Sequence, residues 1–163
     1  MDGDIRLEQV DRKKRLAIII AAIVVAASTV TAVLVVARSE RGVALTVHID
    51  KAEYDPGEPV LIHLQLKNYG FKTVNLVYAT SINMWFGIYD SDGMLAFYAP
   101  KYALMVITEV ELQPGGTRSL EYSWDQVNET GERVELPDSF KVRAFSSSYE
   151  HQFRATATFS ISD

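Results

Sequence analysis

The sequence predicts an all-β domain, an antiparallel sandwich of about nine strands, preceded by one N-terminal transmembrane α-helix. Three features predict it: apolar alternation with a period of two from Ala44 onward, turn formers at intervals of roughly 8–12 residues, and an uncharged apolar segment from Leu16 to Ala37. Apolar residues make up 48% and charged residues 23% of the 163 residues. This is ordinary globular usage, which excludes extended disorder and collagen-like repeats.

The apolar segment at residues 16–37 has the length of a membrane span. Its 22 residues carry no charge, and a helix of that length covers about 33 Å, against about 30 Å of bilayer hydrocarbon. Four consecutive basic residues at 12–15 precede it, whereas only Arg38 and Arg41 follow. The positive-inside rule therefore predicts a cytoplasmic tail at 1–15 and an extracytoplasmic domain at 44–163, joined to the cell membrane by a short stalk at 38–43.

Two alternatives to an uncleaved anchor remain open. The first is a cleaved secretory signal with Val35-Val36-Ala37 as the cleavage site, but the apolar segment exceeds the roughly 7–15 residues of such a signal. The second is a pilin-like filament subunit whose apolar helix packs in a fibre core. The basic run meets Leu16 without an intervening small residue, which disfavours this second alternative.

Alternating apolar positions place the strands of the outer domain. The first strand contains Leu45, Val47 and Ile49, and the others are expected at Val60–Lys67, Thr73–Tyr78, Met84–Tyr89, Met94–Tyr98, Leu104–Leu112, Thr117–Trp124, Ser139–Phe145 and Gln152–Ile161. Aromatic side chains are expected to supply much of the core, namely Trp85, Phe86, Phe97, Tyr122, Trp124, Phe140, Phe153 and Phe159.

Three blocks in the middle of the chain carry a more specific pattern. The first runs from the apolar strand at Thr73–Tyr78 through a hairpin over Met84–Gly93, the second runs from Val110 to Asp125, and the third covers Gly131–Ala144. In order and spacing they resemble the BsuPI family, the intracellular proteinase inhibitors of bacilli and their domain relatives. The resemblance covers about half of the chain, and its motif residues are Asp90, Gly93, Pro114, Gly115, Trp124, Asp125, Gly131 and Pro137.

The resemblance implies an immunoglobulin-like sandwich, often a binding module, and for a few members protease inhibition. The chain departs from the family pattern at two positions. Pro137 is followed by Asp138 rather than Gly, and Phe140 stands where Tyr is usual. No reactive residue of an inhibitor can be matched, so none is carried over.

The chain offers little catalytic or metal-binding chemistry, and no enzyme activity is expected. Cysteine is absent, which excludes disulfides and thiolate sites, and a net charge of −5 with scattered basic residues excludes a nucleic-acid surface. His48 and His63 lie on the polar faces of the first two long strands and would approach each other if those strands pair. Two histidines alone do not make a zinc site, so no metal or cofactor is expected.

Other candidate sites are better explained as turns. Asp90 and Asp92 supply too few oxygen ligands for calcium, Asp125 is expected to cap the loop that follows it, and the serines at 146–148 near His151 lack an oriented base. Asn128 begins a glycosylation sequon in a loop on the predicted outer side.

These observations predict a single-pass membrane protein whose outer domain binds other proteins. It would contact the bilayer through residues 16–37 and serve as an accessory or surface-assembly subunit of a membrane complex or envelope layer. Strand edges are expected docking sites. The alternatives are a membrane-tethered protease inhibitor, with Tyr98–Tyr102 or Gln126–Leu136 as its exposed loop, and the filament subunit.

Overall fold

The computed structural model describes residues 42–134 and 138–162. The predicted anchor and Pro137 lie outside these ranges. The described part consists of ten strands: β1 (Val43–Ile49), β2 (Glu53–Tyr54), β3 (Val60–Asn68), β4 (Val74–Tyr78), β5 (Trp85–Tyr89), β6 (Leu95–Ala99), β7 (Thr108–Leu112), β8 (Thr117–Trp124), β9 (Asp138–Ser147) and β10 (Gln152–Ile161). Within it, no helix has the length and hydropathy needed to cross a membrane.

The strands form a β-sandwich, which confirms the all-β prediction. One sheet has the order β1–β3–β8, the second has the order β2–β10–β9–β5–β6, and β4 pairs with β7 in a two-stranded sheet. All pairings are antiparallel except the short parallel contact between β2 and β10. Each of the nine predicted strands is present, and β2 is the addition.

Alternation along the strands builds the core between the two large sheets. In β3, the side chains of Val60, Ile62, Leu64 and Leu66 are buried while the intervening residues are less buried or exposed. Facing them from the second sheet are buried residues of β9 and β10, and Trp124 of β8 packs edge-on against Phe140 and Phe159 at 5.6 and 6.1 Å between ring centroids. These contacts fix one end of the sandwich.

At the other end the chain enters β1, and we call this the Gly42 end. Val43 pairs with Asn68 at the start of β1, and the Tyr69 N–H donates to the Gly42 carbonyl at 2.7 Å. The β4–β7 sheet joins this end, because the Asn68 side chain donates to the Leu112 carbonyl at 2.8 Å. The β9–β10 turn joins it through the Tyr149 N–H, which donates to the Val77 carbonyl at 2.9 Å.

The loop between β8 and β9 covers the β6 edge of the five-stranded sheet. The Glu129 N–H donates to the Ala96 carbonyl at 3.1 Å, and the Tyr98 N–H donates to Glu129 Oε1 at 2.9 Å. An ion pair at 3.1 Å with Lys101 holds the same carboxylate. This edge is therefore already occupied by the same chain and is not open to pairing with a partner strand.

Three sequence predictions need correction. Leu104–Ile107 do not begin β7; they are exposed, because the Leu104 backbone hydrogen bonds with Ser81 in the neighbouring connection instead of with a strand. Trp85 is 39% exposed rather than in the core, because Phe86 takes the inward position of β5. Val43 belongs to β1 rather than to the stalk, since it pairs with Asn68.

Candidate functional site

The outward face of the five-stranded sheet carries a row of aromatic and cationic side chains, which we call the outer aromatic face. Strand register sets its layout. Trp85 of β5 lies directly opposite Phe145 of β9, which in turn lies opposite Arg154 of β10. Two residues further along β5, Gly87 lies between Tyr98 of β6 and Arg143 of β9. Another two residues along β5, Tyr89 lies on the same face. The face is defined by Trp85, Tyr89, Tyr98, Arg143, Phe145 and Arg154.

The aromatic rings of this face are held in stacked arrangements. The Trp85 and Phe145 rings stack with centroids 4.3 Å apart and planes at 19°. The Arg143 guanidinium lies 4.5 Å from the Tyr89 ring centroid, and that of Arg154 lies 5.9 Å from the Phe145 ring centroid. Cation–π contacts of this kind hold the guanidinium groups over the rings while leaving their N–H donors accessible to a ligand.

The absence of a side chain at Gly87 lets Tyr89 lie across the middle of the face. A Cβ at residue 87 would come within 3.0 Å of both Tyr89 Cε2 and Leu95 Cδ1. Any larger residue would therefore displace the Tyr89 ring or Leu95. The flatness of the face at this point depends on glycine.

A groove of about 450 Å³ adjoins the face where β5 and β6 meet the connection between β4 and β5. Trp85, Tyr98 and Pro100 form its apolar walls, and Thr80 and Asn83 place polar atoms at its rim. The volume lies within the usual range for small-ligand sites, which is roughly 300–1,000 Å³. The groove can accommodate one large apolar or planar group against the indole and phenol side chains that line it.

The charge of the outer aromatic face differs from that of the whole chain. The chain has a net charge of −5, yet β9 and β10 present Lys141, Arg143 and Arg154 outward, and all three are exposed. Among the side chains of these five strands that the structure describes, the acidic one on this face is Glu53, at the β2 edge. Since Trp, Tyr and Arg dominate the binding energy of protein interfaces, this composition is typical of a protein-binding surface.

The predicted approach of the two histidines is confirmed. His48 and His63 are direct cross-strand partners, and Glu121 follows as the partner of His63 on β8. The His63 Nε2 atom is 4.0 Å from Glu121 Oε1. These three side chains, His48, His63 and Glu121, border a second groove of about 460 Å³. In the described ranges, no group of three or more histidine, cysteine or acidic residues is arranged to hold a metal ion.

The motif residues of the two hairpin turns take up turn geometry. The Met94 N–H donates to Asp90 Oδ1 at 2.7 Å, and Gly93 has φ of +81°, which glycine adopts without strain. In the other turn Gly115 has φ of +76°, its N–H donates to the Asn68 carbonyl at 2.9 Å, and Pro114 is exposed. These residues shape turns rather than a site.

The loop after β8 is closed by Asn128, the residue of the glycosylation sequon. Its Oδ1 accepts hydrogen bonds from the N–H groups of Thr130 and Glu132 at 3.0 and 2.9 Å, and Gly131 turns the chain with φ of +85°. Asp125 is exposed at the start of the loop. Since these bonds close the loop, the inhibitor loop expected at Gln126–Leu136 is compact in its described part, up to residue 134.

The serine run serves the β9–β10 turn. Ser146 is buried and shares a hydrogen bond of 2.9 Å with the Tyr78 hydroxyl. The Ser148 Oγ accepts the His151 N–H at 3.0 Å and closes the turn. Neither hydroxyl is oriented by a histidine ring, so these contacts explain the run as structural.

Two buried amides were not predicted from the sequence. Asn68 Nδ2 donates to the Lys72 and Leu112 carbonyls, both at 2.8 Å. Gln126, with φ of +58°, donates from Nε2 to the carbonyls of Asp55 and Glu58 at 2.8 and 2.7 Å. The sequence pattern could have identified Asn68, because every second residue of β3 is buried and Asn68 continues that pattern. A buried polar side chain at this position needs hydrogen-bond partners inside the protein.

Burial perturbs two tyrosines. Desolvation raises the pKa of Tyr54 far above its usual value, and a hydrogen bond from its hydroxyl to Asp50 adds to the effect. Burial also raises the pKa of Tyr78, and the hydrogen bond with Ser146 offsets part of the rise. Tyr54 lies in the core away from the outer aromatic face, whereas Tyr78 is buried beside the groove that adjoins this face. Because both side chains are buried, the shifts contribute to stability.

No family model matches the chain, and no curated protein does. Among solved structures, the chain is similar to a cycloisomaltooligosaccharide glucanotransferase from Paenibacillus sp. (17% identity, TM-score 0.46, 72% of this chain and 13% of that one). It is also similar to the sporulation control protein Spo0M from Bacillus subtilis (14%, 0.46, 75% and 50%) and to a beta-glucosidase from Listeria innocua (17%, 0.44, 77% and 17%). The chain thus spans half or less of each of these proteins, and similarity at this level carries no argument about its function.

Proposed function

We propose that this chain is a single-pass, membrane-anchored binding module with an immunoglobulin-like sandwich of the BsuPI type. Residues 16–37 cross the bilayer and the sandwich lies outside the cytoplasm. It acts through protein–protein contacts as an accessory or surface-assembly subunit. The outer aromatic face is its binding surface.

The observation that carries the binding role is the combination of aromatic rings and exposed cations on one sheet face. Trp85 and Tyr98 are partly exposed, and stacking on Phe145 holds the Trp85 ring, so this side chain loses little conformational freedom on binding. The guanidinium groups of Arg143 and Arg154 offer paired donors to carboxylates. The partner is therefore a protein surface that presents carboxylates around an apolar side chain able to fill the adjoining groove.

Mutation of this face tests the binding role. The tagged full-length chain is extracted from native membranes in a mild detergent, and bound proteins are quantified by mass spectrometry. Trp85→Ala and Arg143→Glu should each lower the bound partner severalfold, whereas Arg118→Glu, the same change at an exposed position on β8, should not. Unchanged partner recovery in both face variants, with circular dichroism showing intact folding, refutes the proposed surface.

The absence of cysteine makes the topology directly testable. Single cysteines are placed at Asp4 in the tail and at Met94, which is 67% exposed. A membrane-impermeant maleimide added to intact cells should label Met94→Cys, whereas Asp4→Cys should react only after lysis. Labelling of both or neither in intact cells contradicts the orientation. Release of the chain by carbonate washing contradicts the anchor.

A further inference from the structure

The Gly42 end carries an unusual number of exposed large apolar side chains. They lie in two segments, one just after β3 and one between β6 and β7. Six of them are more than half exposed: Tyr69, Phe71, Tyr102, Leu104, Met105 and Ile107. Phe71 is 99%, Tyr102 91% and Met105 88% exposed. Soluble surfaces seldom expose such runs unless they meet another apolar phase.

Hydrogen bonds place both segments at the same end of the sandwich. The Tyr69 N–H bonds to the Gly42 carbonyl, which holds the first segment beside the point where the chain enters β1. The second segment is tied back at Leu104, whose carbonyl accepts the Ser81 N–H at 3.0 Å. Thr108, which follows it, donates from its hydroxyl to the Thr80 carbonyl at 2.7 Å. The opposite end, around Trp124, lies about 30 Å away along ten-residue strands.

The length of chain before Gly42 identifies what these segments contact. Four residues separate Ala37, the last of the uncharged segment, from Gly42. Fully extended, that connection spans about 18 Å, and the headgroup layer of one leaflet occupies roughly 5–8 Å. If residues 16–37 cross the bilayer, the Gly42 end cannot lie far from the lipid surface.

We infer that the Gly42 end of the sandwich docks on the lipid bilayer, with the two apolar segments inserted at the level of the headgroups. Aromatic residues favour this interfacial layer, and aliphatic side chains reach the upper acyl chains. Charges of both signs, such as Lys72 and Glu111, flank the segments, so docking does not require anionic lipid. The contact would hold the outer aromatic face at a fixed angle to the membrane.

This inference rests on the proposed anchor and is tested together with it. The full chain is reconstituted in nanodiscs of phosphatidylcholine, which leave both lipid faces open to solvent. Single cysteines at Met105, at Phe71 and, as a matched control, at Met94 near the opposite end carry the environment-sensitive dye NBD. Because all three side chains are exposed, these substitutions leave the core intact.

Docking predicts that dyes at Met105→Cys and Phe71→Cys emit at shorter wavelength than the dye at Met94→Cys. Nitroxide-labelled lipid should quench them and aqueous iodide should quench them severalfold less. Co-elution of chain and nanodisc with iodide quenching at residue 105 or 71 equal to that at 94 overturns the docking and leaves the anchor standing. Failure of the chain to co-elute with nanodiscs overturns the anchor and, with it, the docking.

Discussion

Replacing Trp124 tests how the two large sheets are held together. The indole is 1% exposed, contacts three aromatic rings (Phe97, Phe140 and Phe159), and donates its Nε1–H to the Val127 carbonyl at 2.7 Å. Truncating a core aromatic residue to alanine costs about 3–5 kcal/mol. For Trp124→Phe, which keeps a ring but leaves the Val127 carbonyl without its donor, we expect about 1–3 kcal/mol.

Thermal unfolding of residues 38–163, followed by circular dichroism, measures these costs. In a domain of this size 1 kcal/mol corresponds to roughly 3–5 °C, so Trp124→Ala should lower the Tm by on the order of 10–25 °C. The matched control is Trp85→Ala, the same change at a residue on the outer face, which should lower it much less. Equal shifts for the two variants, or no shift for Trp124→Ala, would show that Trp124 does not hold the sheets together.

The remaining predictions concern the buried amides and the buried tyrosines. Asn68→Asp and Gln126→Glu each remove both N–H donors from a pair of backbone carbonyls, and each should lower the free energy of unfolding by about 2–4 kcal/mol. The control is Gln65→Glu, the same kind of change on the half-exposed face of β3. A similar loss of stability in this control would refute the reasoning. Because burial raises the pKa of Tyr54 and Tyr78, their contribution to stability is complete below the ordinary tyrosine pKa of about 10 and is lost as pH rises above it. Urea midpoints between pH 8 and 11 should therefore fall less steeply for Tyr54→Phe than for the unaltered chain, and identical slopes would contradict this.

Alternation alone was enough to predict the long strands, because each buries one face against the opposite sheet. The same rule misassigned Leu104–Ile107, whose unbroken apolar run resembles a buried strand. Its backbone instead bonds to the connection before β5, a partner about 23 residues earlier in the chain. β2 was missed for a similar reason, since two residues give no periodicity and their pairing is with the end of β10.

The outer aromatic face could be predicted only in part. Trp85 was assigned to the core because it is large and apolar, although Phe86 beside it takes the inward position. Because every second residue of a strand points to the same side of the sheet, Trp85, Gly87 and Tyr89 could have been predicted to share the face opposite Phe86. That Phe145 and Arg154 join them depends on the register of β5, β9 and β10, and this register is set by contacts between distant residues.

The Glu129 contacts at β6 have a consequence for crowding. Chains confined to a membrane meet one another at a high local density, and an open sheet edge would let neighbouring sheets fuse into aggregates. Here the backbone groups of Ala96 and Tyr98 are already taken by the same chain, which closes the β6 edge of the five-stranded sheet. Neighbouring copies of the domain can therefore lie side by side at β6 without their five-stranded sheets merging along this edge.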